Sequence, residues 1–153
     1  MPVTTAEAVR KPSTAERRDP ATVTAAEVMR TPVVSLSSSD TLATAWERLL
    51  AGHVHHLVVT EGVGHRVAGV LDDRQLAMEW PMGPLGPHRR RLTEVLPRDV
   101  HCVLPATPVA VVAETMTRER LDATPVVLAD GTLVGIITSG DIVAFVARAA
   151  CAG

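Results

Sequence analysis

One short stretch of the sequence combines residue types that can hold a phosphate and a sugar: residues 135–141, Gly-Ile-Ile-Thr-Ser-Gly-Asp. A β-branched apolar run ends there in two hydroxyls, a glycine and a carboxylate, and apolar residues then recur at helical spacing. The stretch therefore predicts a buried strand that runs directly into a helix. The first backbone N–H groups of a helix lack partners and carry partial positive charge, which favours binding of a phosphate.

Four residues of this stretch have distinct chemistry. The hydroxyl of Thr138 or Ser139 can donate to a phosphate, and Gly140 lets a ligand approach the backbone closely. The carboxylate of Asp141 can accept hydrogen bonds from a ribose diol. A second interpretation remains open, because Thr138 and Asp141 also have the spacing of a capping box, whose side chains satisfy backbone N–H groups and bind no ligand.

Composition limits the class of protein. The chain has 153 residues, of which 46% are hydrophobic and 21% charged, a globular composition that allows one domain or two very small ones. Its formal net charge of −2 gives no basic field for nucleic acid. The sequence predicts a soluble cytoplasmic protein for three reasons: its two cysteines are isolated, its polar N-terminal region lacks a secretory signal, and no apolar run is long enough to span a membrane.

The elements that must position residues 135–141 occur twice in the sequence. The predicted elements of the first copy are a helix that starts with a capping box at Thr24, a strand over 33–36, a helix whose apolar face falls within 42–50 with Gly52 as C-cap glycine, strands over 56–60 and 66–71, and a helix opening at Asp72 or Asp73. Those of the second copy are a short helix over 92–96, a strand over 101–104, a helix capped by Thr107 with Pro108 at its first position, strands over 125–128 and 133–137 around an Asp-Gly turn, and a helix over 140–149.

The two copies align with nearly constant offsets, which indicates an internal repeat. Residues 27–29 match 94–96 at an offset of 67, residues 57–59 match 125–127 at 68, and residues 69–71 match 135–137 at 66. The predicted domains are a flexible leader over 1–22, a first repeat over 23–80, a Pro- and Gly-rich linker over 81–91, and a second repeat over 92–150.

Over about residues 24–149 the sequence resembles a tandem pair of CBS domains, often called a Bateman module. The resemblance rests on the repeated element order, on the strand start Thr-Pro-Val-Val at residues 124–127, and on residues 135–141, which match the nucleotide motif of the family. It implies an α+β fold (α/β mixed) with two repeats of helix-strand-helix-strand-strand-helix. The repeats would pack with pseudo-twofold symmetry around two clefts, in a protein that forms a homodimer.

The resemblance also implies a ligand and its site. CBS pairs commonly bind AMP, ADP, ATP or S-adenosylmethionine, so Asp141 would hold the ribose hydroxyls and Thr138 the phosphate, with Ser139 as a second donor. The residues before the first strand of the same repeat and the start of its second strand would line the base pocket. The implied site residues are Val100, His101, Ala123, Thr124, Pro125, Ile137, Thr138, Ser139, Gly140 and Asp141.

The first repeat departs from this motif, because it has Asp72 and Gln75 where the second repeat has Thr138 and Asp141. Asp72 is a good helix cap, but its negative charge would repel a phosphate at the same helix terminus. We therefore expect one working cleft, built around Asp141, with the other empty or altered.

The remaining constellations give weaker signals. His53, His55 and His56 form a dense imidazole cluster, but their spacing matches no common zinc signature, so no metal site is predicted. No Ser-His-Asp or Cys-His arrangement stands out, which favours a non-catalytic protein.

The sequence as a whole predicts a regulatory protein that senses an adenosine-containing metabolite and requires no cofactor. It would act on an unidentified protein or on its own oligomer. Neither nucleic acid nor a membrane is predicted as a partner. The alternative is a metal-binding or purely structural, stress-associated dimer with a vestigial cleft.

Overall fold

Two copies of one mixed helix-strand unit make up residues 19–151, the part of the chain that the structure, a computed structural model, describes. The predicted leader over 1–22 lies outside these residues except for its last four positions. The elements are α1 (Ala25–Val28), β1 (Ser35–Ser37), α2 (Leu42–Gly52), β2 (His56–Glu61), β3 (Arg66–Asp72), α3 (Asp73–Met78), α4 (Gly86–Arg89), a 3-10 helix (Leu92–Glu94), α5 (Val109–Arg118), β4 (Ala123–Val127), β5 (Leu133–Thr138) and α6 (Ser139–Cys151). The predicted α+β class is confirmed.

Each copy contributes its own small sheet. In the first copy β1 runs parallel to β2, and β2 runs antiparallel to β3. In the second copy β4 and β5 form an antiparallel pair. The strand predicted over 101–104 is wrong, because only Val103 makes a β-bridge there, to Val126. The chain turns immediately afterwards, where Leu104 N donates to Thr107 Oγ1 at 3.2 Å.

Strand β2 is buried on both faces, because successive side chains of a strand point to opposite sides. Leu57 and Val59 enter the core of the first copy, where they pack with residues of α2 and α3. Val58 points the other way, into an apolar layer that also contains Ala123 of β4 and Ile136 of β5. The two sheets are therefore packed against each other, as the predicted pairing of the repeats requires.

The opening helix of each copy packs into the core of the other copy. Ala25 of α1 is fully buried beside Val112 of α5, and its N–H donates to Thr107 O at 2.7 Å. Leu92, at the equivalent position of the second copy, is fully buried in the core of the first, and its N–H donates to Asp40 O at 2.9 Å. The two acceptors are also equivalent positions, so the exchange follows the pseudo-twofold symmetry.

Two equivalent glycines make room for this exchange. A Cβ at Gly135 of β5 would lie 2.8 Å from Met29 Cγ and 2.9 Å from Met29 Cβ, just after α1. A Cβ at Gly69 of β3 would lie 3.0 Å from Leu96 Cδ2, just after the 3-10 helix. Position 135 therefore requires glycine because another segment approaches closely, and not because the chain turns there.

The ends of two helices differ from the prediction. Gly52 is the last residue of α2, and His53 adopts the left-handed conformation with φ of 50° that was expected of a glycine. Gly52 serves close packing instead, because a Cβ there would lie 3.3 Å from Val34 Cγ2. At α5 the predicted cap Thr107 is also wrong, since Pro108 takes the N-cap position and no side chain caps the helix.

The segment predicted as a linker, residues 81–91, contains the short helix α4, whose Pro87 is buried. Arg90, at the end of α4, donates to Glu79 O at 2.7 Å and to Glu79 Oε2 at 2.9 Å, which fixes the segment to the end of the first copy. Within residues 19–151 no helix has both the length and the apolar character needed to cross a membrane.

Candidate functional site

The junction between β5 and α6 lies where the sequence predicts it, since the strand ends at Thr138 and the helix begins at Ser139. Thr138 N and Thr138 Oγ1 each donate to Asp141 Oδ2 at 2.9 Å, and Asp141 N lies 3.3 Å from Thr138 Oγ1. The capping interpretation is therefore realised. It does not exclude a ligand, because an ionised carboxylate has about four acceptor positions and the two bonds from Thr138 occupy only those of Oδ2.

The second oxygen of Asp141 faces Arg30, whose Nε donates to Oδ1. Asp141 is only 5% exposed, so this ion pair compensates a charge that would otherwise be buried alone. The backbone of Arg30 is fixed by two bonds to β5: Arg30 N donates to Ile136 O at 2.8 Å, and Ile136 N donates to Arg30 O at 3.2 Å. The exchange of α1 between the copies thus delivers a guanidinium to the junction.

Ser139, the first residue of α6, is held by Asp122, which immediately precedes β4. Ser139 N donates to Asp122 O at 2.9 Å, and Ser139 Oγ donates to the same oxygen at 3.2 Å. Ser139 Oγ also lies 3.4 Å from Asp122 Oδ1. A carboxylate is therefore placed directly beside the N-terminus of α6.

A cavity of about 600 Å³ lies between the two copies and includes this junction. Its volume falls within the range of about 300–1,000 Å³ that is typical of small-ligand sites. Both copies contribute to its wall, which is formed by Arg30, Thr31, Pro32, Val33, Val34, His53, Val54, His55, His56, Asp72, Asp73, Arg74, Asp122, Ile136, Thr138, Ser139 and Gly140. The charged and titratable groups on this wall are three aspartates, two arginines and three histidines.

The structure separates the ten predicted site residues into three groups. Three of them line the large cavity: Thr138, Ser139 and Gly140. Three others line a second cavity of about 160 Å³: Val100, His101 and Ala123. The remaining four line neither cavity and are buried: Thr124, Pro125, Ile137 and Asp141. The sequence thus grouped residues that the fold places on different surfaces.

Strand geometry explains part of this separation. Ala123 faces the layer between the sheets, so the adjacent Thr124 points to the opposite side. Thr124 lies opposite Ile137, which belongs to the hydrophobic core of the second copy, and is completely buried. Among residues 19–151 its hydroxyl finds no hydrogen-bond partner. Thr124 is therefore placed as a core residue with an uncompensated polar atom.

Sequence reasoning missed Arg30 and Asp122. The sequence around Arg30 gives no sign that this residue is functional. The alignment of the copies places it opposite Pro97, so the positive charge at this position is present in one copy only. At the offset of 68 that the sequence indicates for this segment, Asp122 aligns with Val54. The strand pairings make Asp122 equivalent to His55 instead, because Ala123 pairs with Thr138 as His56 pairs with Asp72. The sequence alignment therefore gave no signal for Asp122.

The junction of the first copy uses the same capping device. Gln75 N donates to Asp72 Oδ1 at 2.6 Å, and Asp72 N donates to Gln75 Oε1 at 3.1 Å, which confirms Asp72 as a helix cap. Asp72 borders both cavities, whereas Gln75 borders the smaller one. Both helix N-termini that the repeat creates therefore lie close to the space between the copies.

The histidine cluster also faces the large cavity. His53, His55 and His56 all line it, and His55 Nδ1 lies 2.7 Å from Asp73 Oδ2. This hydrogen bond from His55 lowers the pKa of Asp73 below its ordinary value. Among residues 19–151 no three or more His, Cys, Asp or Glu side chains are grouped so that they could hold a metal ion.

Comparison with known protein families gives two matches within the chain. A sequence model described as CBS domain matches residues 25–80 and 92–148, which together span well over half of the sequence. Each match covers one of the two copies described above.

Solved structures with the same fold include three that were determined with bound molecules or ions. The CBS domain pair of protein MJ0100, in complex with 5′-methylthioadenosine and S-adenosyl-L-methionine, is 22% identical with a TM-score of 0.71, over 82% of this chain and 96% of that chain. A CBS domain protein from Pyrobaculum aerophilum, complexed with AMP, is 23% identical with a TM-score of 0.70, over 84% and 99%. Hypoxic Response Protein I, with two coordinated zinc ions, is 22% identical with a TM-score of 0.69, over 79% and 97%.

Proposed function

We propose that this chain, which belongs to the CBS domain family, binds an adenosine-containing ligand between its two copies and acts as a regulatory, non-catalytic module. The observation that carries the proposal is the cavity of about 600 Å³, whose wall includes the first residues of α6. Complexes of the same fold with AMP, and with 5′-methylthioadenosine and S-adenosyl-L-methionine, support this class of ligand.

In this proposal Asp141 binds the ribose after Arg30 has moved aside, since Asp141 does not itself line the cavity but its partners Arg30 and Thr138 do. Its Oδ2 already accepts two bonds from Thr138, whereas Oδ1 accepts one from Arg30. Oδ1 therefore has one acceptor position left, and a small displacement of Arg30 opens the second. Because the Arg30 side chain is 71% exposed, it can make this displacement without disturbing the core.

The base would lie against the apolar side of the same cavity, which is formed by Val33, Val34 and Ile136. These residues replace Val100 and His101 as the proposed base contacts, since the latter line the smaller cavity. The ligand would then touch both copies, and its binding would depend on how they are packed together. Coupling between ligand and packing is what a regulatory module needs.

A surface for the response is present on the last two helices. Val143 and Val146 of α6 are 67% and 55% exposed, and Val111 of α5 is 46% exposed. Exposed apolar side chains of this kind indicate a protein interface. We propose that two copies of the chain associate through α5 and α6 to form a homodimer in the cytoplasm. A regulated protein would respond to the state of this dimer. Size-exclusion chromatography with light scattering tests the dimer: Val146→Glu should reduce the mass to that of one chain, and a monomeric unmodified protein would contradict it.

The ligand proposal is tested by isothermal titration of the whole protein with AMP, ATP and S-adenosylmethionine. Asp141→Asn retains the size of the side chain but removes its charge, and it should weaken binding at least tenfold, because a bond to a charged group contributes about 1.5–3 kcal/mol. Absence of heat with all three compounds would contradict the proposal and leave the structural dimer as the better explanation.

Asp40→Asn is the matched control, because Asp40 also closes a local turn through its carboxylate, which accepts from Ser37 N at 2.8 Å. Asp40 does not line the large cavity. The Asp40→Asn substitution should leave ligand affinity unchanged. Urea unfolding of both variants then separates a loss of binding from a loss of folding. Equal weakening by both substitutions would refute the assignment of Asp141.

A further inference from the structure

The donors of Thr138 and Ser139 at the start of α6 are already engaged within the protein. Thr138 N and Oγ1 donate to Asp141, and Ser139 N and Oγ donate to Asp122. A phosphate at this helix terminus would use these N–H and hydroxyl groups together with the N–H of Gly140. It could therefore reach its full set of donors only if the bonds of Thr138 and Ser139 broke.

The charges around the cavity also oppose a phosphate. The Asp122 carboxylate lies 3.4 Å from Ser139 Oγ, next to the helix terminus, and Asp72 and Asp73 line the same cavity from the first copy. A phosphate would therefore approach three carboxylates, and like charges repel each other strongly where water is partly excluded. A cation in the same place would be attracted.

The two arginines of the cavity do not reverse this balance. Arg30 and Asp141 have opposite charges that cancel whether or not a ligand displaces Arg30, so together they add no net positive charge for a phosphate. Within the described part of the chain, Arg74 is then the remaining guanidinium on the wall that opposes its three carboxylates.

From these contacts we infer that the cavity selects adenosine derivatives whose 5′ substituent is uncharged or cationic, such as a thioether or a sulfonium, over 5′-phosphates. The inference rests on the proposed function and narrows its ligand class. Thr138 and Ser139 then act by holding Asp141 and Asp122 in place, and they do not bind a phosphate.

The test is isothermal titration of the whole protein with 5′-methylthioadenosine, S-adenosylmethionine, AMP and ATP, at mildly alkaline pH and at low salt. The neutral thioether and the cationic sulfonium should bind at least tenfold more tightly than AMP, and ATP should bind most weakly. Added salt should reduce these differences, because it screens the interaction between charges.

Asp122→Asn provides the specific variant, because it removes one carboxylate while retaining the backbone carbonyl that Ser139 uses. It should raise the affinity for AMP roughly fivefold, the scale of one screened charge interaction, and leave 5′-methylthioadenosine unchanged. Glu114→Gln is the control, since this exposed carboxylate of α5 lies outside the cavity and its removal should change neither affinity.

Tighter binding of AMP or ATP than of the sulfonium would overturn the inference and leave the proposed function intact. An Asp122→Asn variant that changes both affinities equally would overturn it as well. If none of the four compounds binds, the proposed function fails together with the inference, so the two failures are distinguishable.

Discussion

Substituting Gly135 by alanine tests whether the exchanged opening helices hold the two copies together. Gly135 lies in β5, directly beneath the residue that follows α1. The added methyl group would overlap Met29, with Cγ at 2.8 Å and Cβ at 2.9 Å. Met29 Cβ cannot move away easily, because the next residue, Arg30, is bonded to Ile136 through both its N–H and its carbonyl.

The size of the effect follows from two opposing contributions. Adding a methyl group to a well-packed site costs about 1–3 kcal/mol, and the contact with the nearly fixed Met29 Cβ places this case at the upper end. Alanine is better than glycine within a strand by about 0.5–1 kcal/mol, which offsets part of the loss. We therefore expect Gly135→Ala to lower the free energy of unfolding by about 2 kcal/mol.

Gly69→Ala is the internal comparison at the equivalent position of the first copy. The nearest atom there is Leu96 Cδ2, the end of a flexible side chain, at 3.0 Å. A small rotation of Leu96 relieves this contact, and the other close neighbour, Pro97 Cδ, lies at 3.3 Å and needs to give way only slightly, so the loss should stay below about 1 kcal/mol.

Urea unfolding monitored by circular dichroism measures both variants, with Met29→Ala and Gly135→Ala/Met29→Ala completing a double-mutant cycle. The shortened side chain at position 29 should recover at least about 1 kcal/mol of the loss caused by Gly135→Ala. Equal losses at Gly69 and Gly135, or a cycle without coupling, would refute the account of close approach.

Three further substitutions test individual features. Thr124→Val should raise the free energy of unfolding by about 1–2 kcal/mol in urea, because it removes a buried hydroxyl without a partner; a loss would show that the hydroxyl is satisfied. Arg120→Gly should stabilise by about 0.5 kcal/mol, since Arg120 has φ of 55° and glycine adopts this conformation without strain; destabilisation would contradict this. His55→Ala should raise the pKa of Asp73 in a carboxyl NMR titration, because the hydrogen bond from His55 lowers it. Because folding lowers the pKa of Asp73, the His55–Asp73 pair stabilises the protein at pH values above the unfolded pKa of Asp73, and this stabilisation is lost as the pH falls through the folded pKa. The His55→Ala variant should therefore lose stability above the unfolded pKa. An unchanged Asp73 titration, or a loss of stability confined to strongly acidic pH, would contradict the assignment.

The exchange of opening helices links fold and site in this protein. It fills each core with a residue from the other copy, Ala25 in one and Leu92 in the other. It also carries Arg30 onto β5, where the guanidinium reaches Asp141. A ligand that competes with Arg30 for Asp141 therefore acts on the same segment that joins the copies, which is a direct route from binding to packing.

Local patterns in the sequence determined much of the architecture. The strand-to-helix junction at residues 135–141, the cap formed by Asp72 and Gln75, and the internal repeat all depend on residues close in the chain or on simple periodicity, and all appear in the structure. The misplaced ends at Gly52 and Thr107 arose where packing or a neighbouring turn outweighed the local preference.

Only the tertiary structure decided which groups meet at the site. The Thr138–Asp141 pair could be predicted because its members lie three residues apart, but the contacts of Arg30 with Asp141 and of Asp122 with Ser139 join distant parts of the chain. Such contacts depend on how the two copies exchange helices and on which face of a strand each side chain occupies, and neither has a periodic signature in the sequence. The sequence therefore located the junction, and the packing of the copies determined which charges surround it.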